Sequence, residues 1–491
     1  MDALDDAHVA ALRDALERAD YTVDGVAAAL GPLGHRALAR NETTPGRRAT
    51  TGGSPLETLT RLWPLQADVP SGAVEAALPG LTGPLVAAGV LQRAGDVVRA
   101  LVDVRPYADD DVDWWVVSDL TPGLDGAATG VSAEHVLGVS SASTSLAQLT
   151  VRAPAGRALD LGTGCGVQAL HLSTHADHVV ATDLNLRAVR MARLTAALNG
   201  VDLDVREGSF FEPVAGEAFD LVVSNPPFVV SPGTGDLLTY RDSGLPGDEV
   251  VRQVVTGAAA RLAPGGVAQV LANWVHEQGR SWEDRVGSWV ASTGCDAWVV
   301  EREVADVAQY VELWLRDAGM DREPDYTQRY DAWVQWFDEQ QVEGIGFGWL
   351  VLRRAERDRP RLRLEQWPHQ VEQPLGPEVD AWLRRTDLDA ALSDEQLLAV
   401  PWTVRPDVVQ ESVGAPGAPD PERIVLRQQR GMCRARQVDT VEAALVGACD
   451  GDLAAGQILA AVTSLLDLPP LPTEDRARLV RGLLADGYLV P

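Results

Sequence analysis

Ala158-Leu159-Asp160-Leu161-Gly162-Thr163-Gly164-Cys165-Gly166 is an apolar strand running into three alternating glycines, with a helical stretch directly behind it. Glycine permits positive φ and lets a ligand come close to the backbone. The helix N-terminus that follows offers N–H groups with no intrahelical partner. A bare G-x-G-x-G also suits a dinucleotide. This spacing differs from the G-x-G-x-x-G of the pyrophosphate turn, however, and an acid, Asp160, precedes the first glycine by two positions. Outward from this turn, apolar runs at 158–161, 178–183, 203–207, 221–224, 267–272, 298–303 and 346–352 read as strands. Stretches at 168–174, 186–199, 249–262 and 307–318 read as helices. That alternation predicts a parallel sheet with crossover helices. The expectation is an α/β fold with a doubly wound, seven-stranded Rossmann-like sheet and ligand at the strand C-termini.

Two further strand ends carry chemistry. The second strand finishes on Asp183, followed by Leu184, seventeen positions after Gly166. A carboxylate there can accept hydrogen bonds from both ribose hydroxyls, and charge-assisted bonds of that kind are strong; alternatively it caps the helix near Leu186. The third strand leads to Gly208-Ser209-Phe210-Phe211-Glu212-Pro213. The fourth, Phe219–Ser224, runs directly into Asn225-Pro226-Pro227-Phe228. Prolines lack an N–H and fix φ, so this loop is stiff and its carbonyls point outward.

These segments resemble motif I of the class I S-adenosylmethionine methyltransferases and the (Asn/Asp)-Pro-Pro-(Tyr/Phe) motif of N-methyltransferases acting on adenine, guanine or glutamine. Residues 130 to 275, about 30% of the chain, are similar to the HemK-like release-factor glutamine methyltransferases and to the small-domain ribosomal RNA guanine methyltransferases; Leu262-Ala263-Pro264-Gly265-Gly266 adds to the likeness. The resemblance implies S-adenosylmethionine as cofactor. Asp160, Gly162, Thr163, Gly164 and Gly166 would form the turn that cradles its methionine part. Asp183 would bind the ribose, and Ser209 and Phe210 the adenine, with Leu184 and Asn225 also at the cofactor. The catalytic residues implied are Asn225, Pro226, Pro227 and Phe228. An amide or aryl amine is a poor nucleophile because its lone pair is delocalised. The Asn225 side-chain oxygen and the Pro226 carbonyl would accept its two N–H groups and aim the lone pair at the sulfonium methyl. Phe228 would stack on the flat acceptor or on developing positive charge, for roughly 0.5–2 kcal/mol. The chain departs from the relatives at three points. Ser209 stands where an Asp commonly contacts the adenine amine, Phe228 where the glutamine-methylating family usually has Tyr, and Val229 where the RNA relatives often have His.

Three parts are expected: 1–110, helical and winged-helix-like; 111–355, the methyltransferase domain; and 360–491, again helical and winged-helix-like. In the first, leucines and valines recur at spacings of three and four, a loop is read at 43–55, and 89–102 could form a hairpin wing. In the third, 440–462 and 475–484 read as helices.

The 491 residues carry a formal charge of −29, against broad phosphate-neutralising nucleic-acid binding. All 42 Lys-plus-Arg positions are arginine, read as a coding bias. The four cysteines form no C-x-x-C pair, so no zinc site or disulfide framework is indicated. No metal is expected. The acidic start lacks a signal-peptide pattern and no run of about 18 apolar residues occurs, which places the protein in the cytoplasm by default. His135–Gly138 and Ser141–Ser145 are candidates for covering the cofactor, Trp274 for a core anchor or pocket wall, and Tyr240–Gly244 for a lid. Trp282, Trp289, Trp298, Trp314, Trp333 and Trp336 are read chiefly as core. Arg423, Arg427, Arg430, Arg434 and Arg436 form a salt-bridged or solvated face, or else an RNA contact. The first-choice acceptor is a protein side-chain amide. A nucleobase amino group in rRNA or tRNA is the alternative, and a non-catalytic cofactor-binding scaffold a third reading.

Overall fold

The computed structural model describes residues 4–109, 112–127, 132–233, 244–320, 323–416 and 421–491. The chain forms two compact units, one of residues 1–147 and 154–367, the other of 148–153 and 368–491.

The first unit is built on one large sheet. Its strands in chain order are β1 (Ala155–Leu161), β2 (Ala176–Asp183), β3 (Asp204–Glu207), β4 (Phe219–Ser224), β5 (Leu262–Glu277), β6 (Asp296–Asp306), β7 (Val342–Arg353) and β8 (Leu362–Gln366). The spatial order is β8-β6-β7-β5-β4-β1-β2-β3, with β7 antiparallel to both neighbours and the other pairs parallel. This is a doubly wound, Rossmann-like sheet with one antiparallel strand. It has eight strands where the sequence pattern predicts seven. The added β8 pairs in parallel with β6 from Ala297↔Leu362 onward; its alternating Leu-Arg-Leu-Glu-Gln at an edge lacks the apolar run of a central strand. Interior strands read as apolar runs because helices cover both faces: Val179, Val180, Ala181, Leu221, Val222 and Val223 are all buried.

The helices of this half begin and end on recognisable residues. α1 (Ser141–Leu149) precedes β1, and α2 (Val167–Ser173) follows the glycine turn. α3 (Leu186–Asn199) starts where Asn185 caps the Arg187 N–H and stops at Gly200, whose φ of 66° suits only glycine comfortably. α4 (Glu249–Arg261) leads into β5, and α5 (Trp282–Ser292), capped by Ser281, packs beside it. α6 (Val307–Asp317) and α7 (Tyr326–Glu339) fill the connection from β6 to β7.

The first hundred residues form helices Asp6–Arg18, Val23–Leu38 and Pro55–Leu62, a short strand (Val69–Pro70), two more helices (Ser71–Ala77, Thr82–Ala87) and a hairpin (Leu91–Ala94, Val97–Ala100). Thr44–Ala49, expected as loop, is a short helix started by Pro45 at its first turn. A second hairpin, Asp103–Asp109 with Val112–Ser118, lies against α3: the Trp115 N–H donates to Asn199 Oδ1 at 2.9 Å and Val117 N–H to Thr195 Oγ1 at 3.0 Å. One apolar cluster runs from Val9 and Leu16 through Trp63, Val104 and Trp114 to Cys165, Leu170, Met191 and Leu198. Each large side chain buried there contributes about 1.5–3 kcal/mol.

The second unit holds the helix Gly376–Ala391 and an antiparallel sheet of Val408–Val413, Arg423–Gln428 and Ala435–Val438. Helices Thr440–Ala448, Ala455–Leu465 and Thr473–Ala485 follow. The helix expected over 440–462 is broken, because Asp450-Gly451-Asp452 turns the chain, with Gly451 at φ 92°. The arginine run lies on the sheet and beside it, where acids distant in sequence meet it. Arg427 pairs with Glu411 at 2.7 Å, and Arg436 with Glu442 at 2.6 Å and Asp486 at 3.2 Å.

Candidate active site

A cleft of about 1170 Å³ opens at the C-terminal edge of the sheet, where β1 has β2 on one side and β4 on the other. That reversal of strand order is where doubly wound sheets bind ligand. Gly162, Thr163, Gly164, Asp183, Leu184, Ser209, Phe210, Asn225, Pro226, Pro227 and Phe228 all line it. Asp160 and Gly166 do not.

Asp160 supports the turn from behind. It is 1% exposed, and its Oδ2 accepts from Thr163 Oγ1 at 2.6 Å and Ala169 N–H at 3.0 Å. Burial pushes its carboxyl up to about 7, with those two bonds pulling the other way. The folded protein therefore holds this proton more tightly than the unfolded chain does. Stability from this group is complete below about pH 4 and is lost as pH rises through about 7. In ligand-free protein, Asp160→Asn should flatten the fall in melting temperature between pH 5 and 8; parallel wild-type and variant profiles would remove Asp160 as its source. Gly166 has φ 86°, and a Cβ there would sit 3.3 Å from the Ala192 Cα, so it lets α2 pack closely on α3. Gly162 and Gly164, at φ 75° and 55°, differ: a Cβ on either would project into open space with no atom within 4 Å.

Asp183 is not the cap of α3, a role Asn185 fills. Its Oδ2 accepts from Gly164 N–H at 2.9 Å and its Oδ1 from Asn185 N–H at 2.8 Å. Each oxygen keeps a lone pair for another donor. Burial pushes this carboxyl up, against three backbone N–H bonds that lower it. Leu184 beside it is 70% exposed, a large apolar side chain presented to the cleft. Phe210 sits at φ 44°, a left-handed conformation that costs a bulky residue energy. Gly208 before it packs on Pro213, so close that a Cβ would meet the ring at 2.5 Å.

The segment before β1 is pinned over this end of the cleft. Asp119 accepts from Val136 N–H at 2.8 Å and pairs with Arg187. Asn185 Nδ2 donates to Glu134 O at 2.9 Å, and Gln168 Nε2 to Ser143 O at 2.7 Å. His135 through Gly138 and Ser140–Ser143 thereby become cleft wall.

Strand β4 delivers the tetrapeptide. Ser224 Oγ donates to Leu161 O at 2.9 Å and ties the end of β4 to β1. The Asn225 Oδ1 is buried and has no hydrogen-bond partner among the described residues. Phe228 faces Trp314 of α6, ring centroids 6.3 Å apart at 65°. Leu313, Trp314 and Asp317 of α6, with Phe347 of β7, complete the wall. Sequence reading missed these as site residues: they follow the tetrapeptide by some ninety positions or more and read as an amphipathic helix and a strand. Trp274 is core instead, fully buried, stacked on Trp282 at 5.5 Å and donating to Glu301 Oε2 at 2.9 Å. Tyr240–Ser243 lie outside the described residues.

Tyr310 of α6 accepts the Val230 N–H at 2.8 Å, two residues past the tetrapeptide, and meets Asn273 Nδ2 at 3.4 Å. Removing the hydroxyl leaves a buried N–H without its bond, a loss of about 1–3 kcal/mol. Tyr310→Phe should lower the melting temperature and reduce kcat while leaving cofactor affinity unaltered. A normal kcat would mean that this bond does not position the loop.

Fold and cleft define a doubly wound domain with its cleft at the switch point, and comparison with known proteins shows this region to be similar to methyltransferases. Residues 135–289 match the family model described as Methyltransferase small domain, and residues 18–101 match Domain of unknown function (DUF7059). The chain is 36% identical over 160 residues to a release factor glutamine methyltransferase of Deinococcus radiodurans, covering 30% of this chain and 56% of that protein. It is 33% identical over 120 residues to ribosomal RNA small subunit methyltransferase C of an Enterobacter species, covering 24% of this chain and 31% of that one. The chain thus spans about half the length of the release-factor relatives it matches and less of the RNA ones. Among solved structures, a T. thermophilus 16S rRNA N2 G1207 methyltransferase in complex with AdoMet and guanosine aligns with 21% identity and a TM-score of 0.28, covering 46% of this chain and 57% of that one. No described helix is long and apolar enough to cross a membrane, and no group of three or more His, Cys, Asp or Glu among the described residues could hold a metal ion.

Proposed function

We propose that this protein is an S-adenosylmethionine-dependent N-methyltransferase whose acceptor is a planar nitrogen, in first place a protein side-chain amide of the glutamine type. The observation that carries the reading is Asn225 Oδ1, a buried acceptor without a partner in the cleft wall. Leaving such a group unpaired costs about 1–3 kcal/mol, and a site that binds an N–H recovers it.

The residues present fit the cofactor. The open side of Gly162 and Gly164 would receive its amino-acid end, the free lone pairs of Asp183 its ribose hydroxyls, and Leu184 with Phe210 its ring. When bound it supplies a methyl group activated by a sulfonium. The chain's own contribution is orientation. Asn225 Oδ1 and the Pro226 carbonyl accept the two N–H groups of the acceptor and direct its lone pair, while the proline ring of 227 keeps the loop from relaxing. Phe228 and Trp314 hold the flat group from the side. In-line positioning of this kind is worth up to roughly 7–11 kcal/mol. A cytoplasmic location accords with this reading.

The test is labelled-methyl transfer into extract from a strain lacking the gene, with wild type and Asn225→Ala compared and the products split by protease and by ribonuclease. Label lost to protease supports the amide. Label lost to ribonuclease replaces it with a nucleobase amino group of an RNA; the Enterobacter relative is named as a ribosomal RNA methyltransferase. No Asn225-dependent label in either fraction removes the planar-nitrogen reading.

A further inference from the structure

Antiparallel neighbours in a sheet can be joined by a two-residue turn. Between β6 and β7, paired up to Asp306↔Gly344, the chain instead spends residues 307–341 on α6 and α7. Both helices close on the tetrapeptide loop. Besides the Tyr310 bond, Trp333 Nε1 of α7 donates to Val230 O at 3.2 Å, so Val230 is held at both its N–H and its carbonyl, from two helices. α6 then turns Trp314 toward Phe228, and Tyr310 backs Trp314 and Phe347 at 6.0 and 5.7 Å between ring centroids. The result is an aromatic slot at the Asn225 end of the cleft.

We infer that α6–α7 is the acceptor-recognition element and that Trp314 is its specificity-determining residue, packing on the flat side-chain amide of a polypeptide. The inference rests on the planar-nitrogen reading above. Charge favours a polypeptide over a nucleic acid. Asp317 is the charged residue that α6 brings to the cleft, and residues 307–341 hold eight Asp or Glu against three Arg. An acid at this end of the cleft disfavours a phosphate backbone, whose binding depends on neutralisation by cations.

The experiment titrates labelled-methyl transfer against the protein fraction of extract from a strain lacking the gene, with S-adenosylhomocysteine affinity measured by calorimetry. Trp314→Ala should raise the half-saturating amount of that fraction by about tenfold, more than it lowers the maximal rate, with S-adenosylhomocysteine affinity unaltered. Trp314→Phe keeps a flat ring in the slot and should stay within about threefold of wild type. It also keeps the test valid should the alanine variant fold poorly. Unchanged half-saturation in both variants overturns the assignment of Trp314, as does an equal loss of S-adenosylhomocysteine affinity. Label lost to ribonuclease, and increased by Asp317→Arg, overturns the polypeptide. Absence of Asn225-dependent label in wild type removes the parent reading itself, a different result from a Trp314 variant that behaves as wild type.

Discussion

Asn225→Ala should abolish methyl transfer, by about 10²–10³-fold or more, the scale set by losing one preorganised polar contact to a reacting group. Three readings taken together make this prediction sharp. Cofactor affinity should stay within about twofold, because Gly162, Gly164 and Asp183 are untouched. The melting temperature should hold or rise, because the variant removes a buried oxygen that lacks a partner among the described residues. Activity and stability then move in opposite directions, as expected where function keeps a strained or unsatisfied group in place. A variant that turned over an identified substrate normally would end the acceptor role of Asn225. A variant that lost activity only through unfolding would show it in the melting curve.

Asp183→Ala should weaken cofactor binding by about tenfold or more, since hydrogen bonds to a charged group are worth roughly 1.5–3 kcal/mol. The structure adds a second effect. The carboxylate also holds the N–H groups of Gly164 and Asn185, at 2.9 and 2.8 Å. Alanine therefore loosens the glycine turn and the entry to α3 as well as removing the ribose acceptor. The melting temperature of the empty protein should fall, and the cofactor should restore less of it than in wild type, because ligand stabilisation scales with affinity. Calorimetry with S-adenosylhomocysteine measures the first effect directly, and unchanged affinity would sink the ribose role.

Much of the central sheet was legible because its strands are apolar runs separated by helices with clear ends. Leu186–Asn199 begins and ends in the structure where its pattern predicts, marked by Asn185 and Gly200. The glycine turn, the Asp183 strand end and the tetrapeptide could be read from their place after apolar strands together with their resemblance to known motifs, and all three reach one cleft. The contribution of each residue was harder to read. Asp160 and Gly166 belong to the motif as letters but act behind it, as a brace and as a packing contact. Trp314 and Phe347 were illegible as site residues because tertiary folding, not sequence distance, brings them to Phe228. β8 and the sheet of the second unit were missed for a related reason. Leu362–Gln366 and Val408–Val413 are short edge strands that mix apolar with polar residues, a pattern that edge strands share with loops.

The apolar cluster that begins at Val9 does not stop where the sheet begins. It continues under the glycine turn through Cys165, Val167 and Leu170 and along α3 to Leu198. The first hundred residues therefore share one core with the glycine turn and are not cargo attached to it. Arg13 makes the same point in polar form, with its Nε donating at 2.7 Å to the Leu198 carbonyl at the end of α3. A gene shortened to begin at residue 111 would not encode a smaller enzyme. It would encode a sheet with one helix wet along Met191, Leu194 and Leu198, and the cradle would lose its foundation before the chemistry was ever tested.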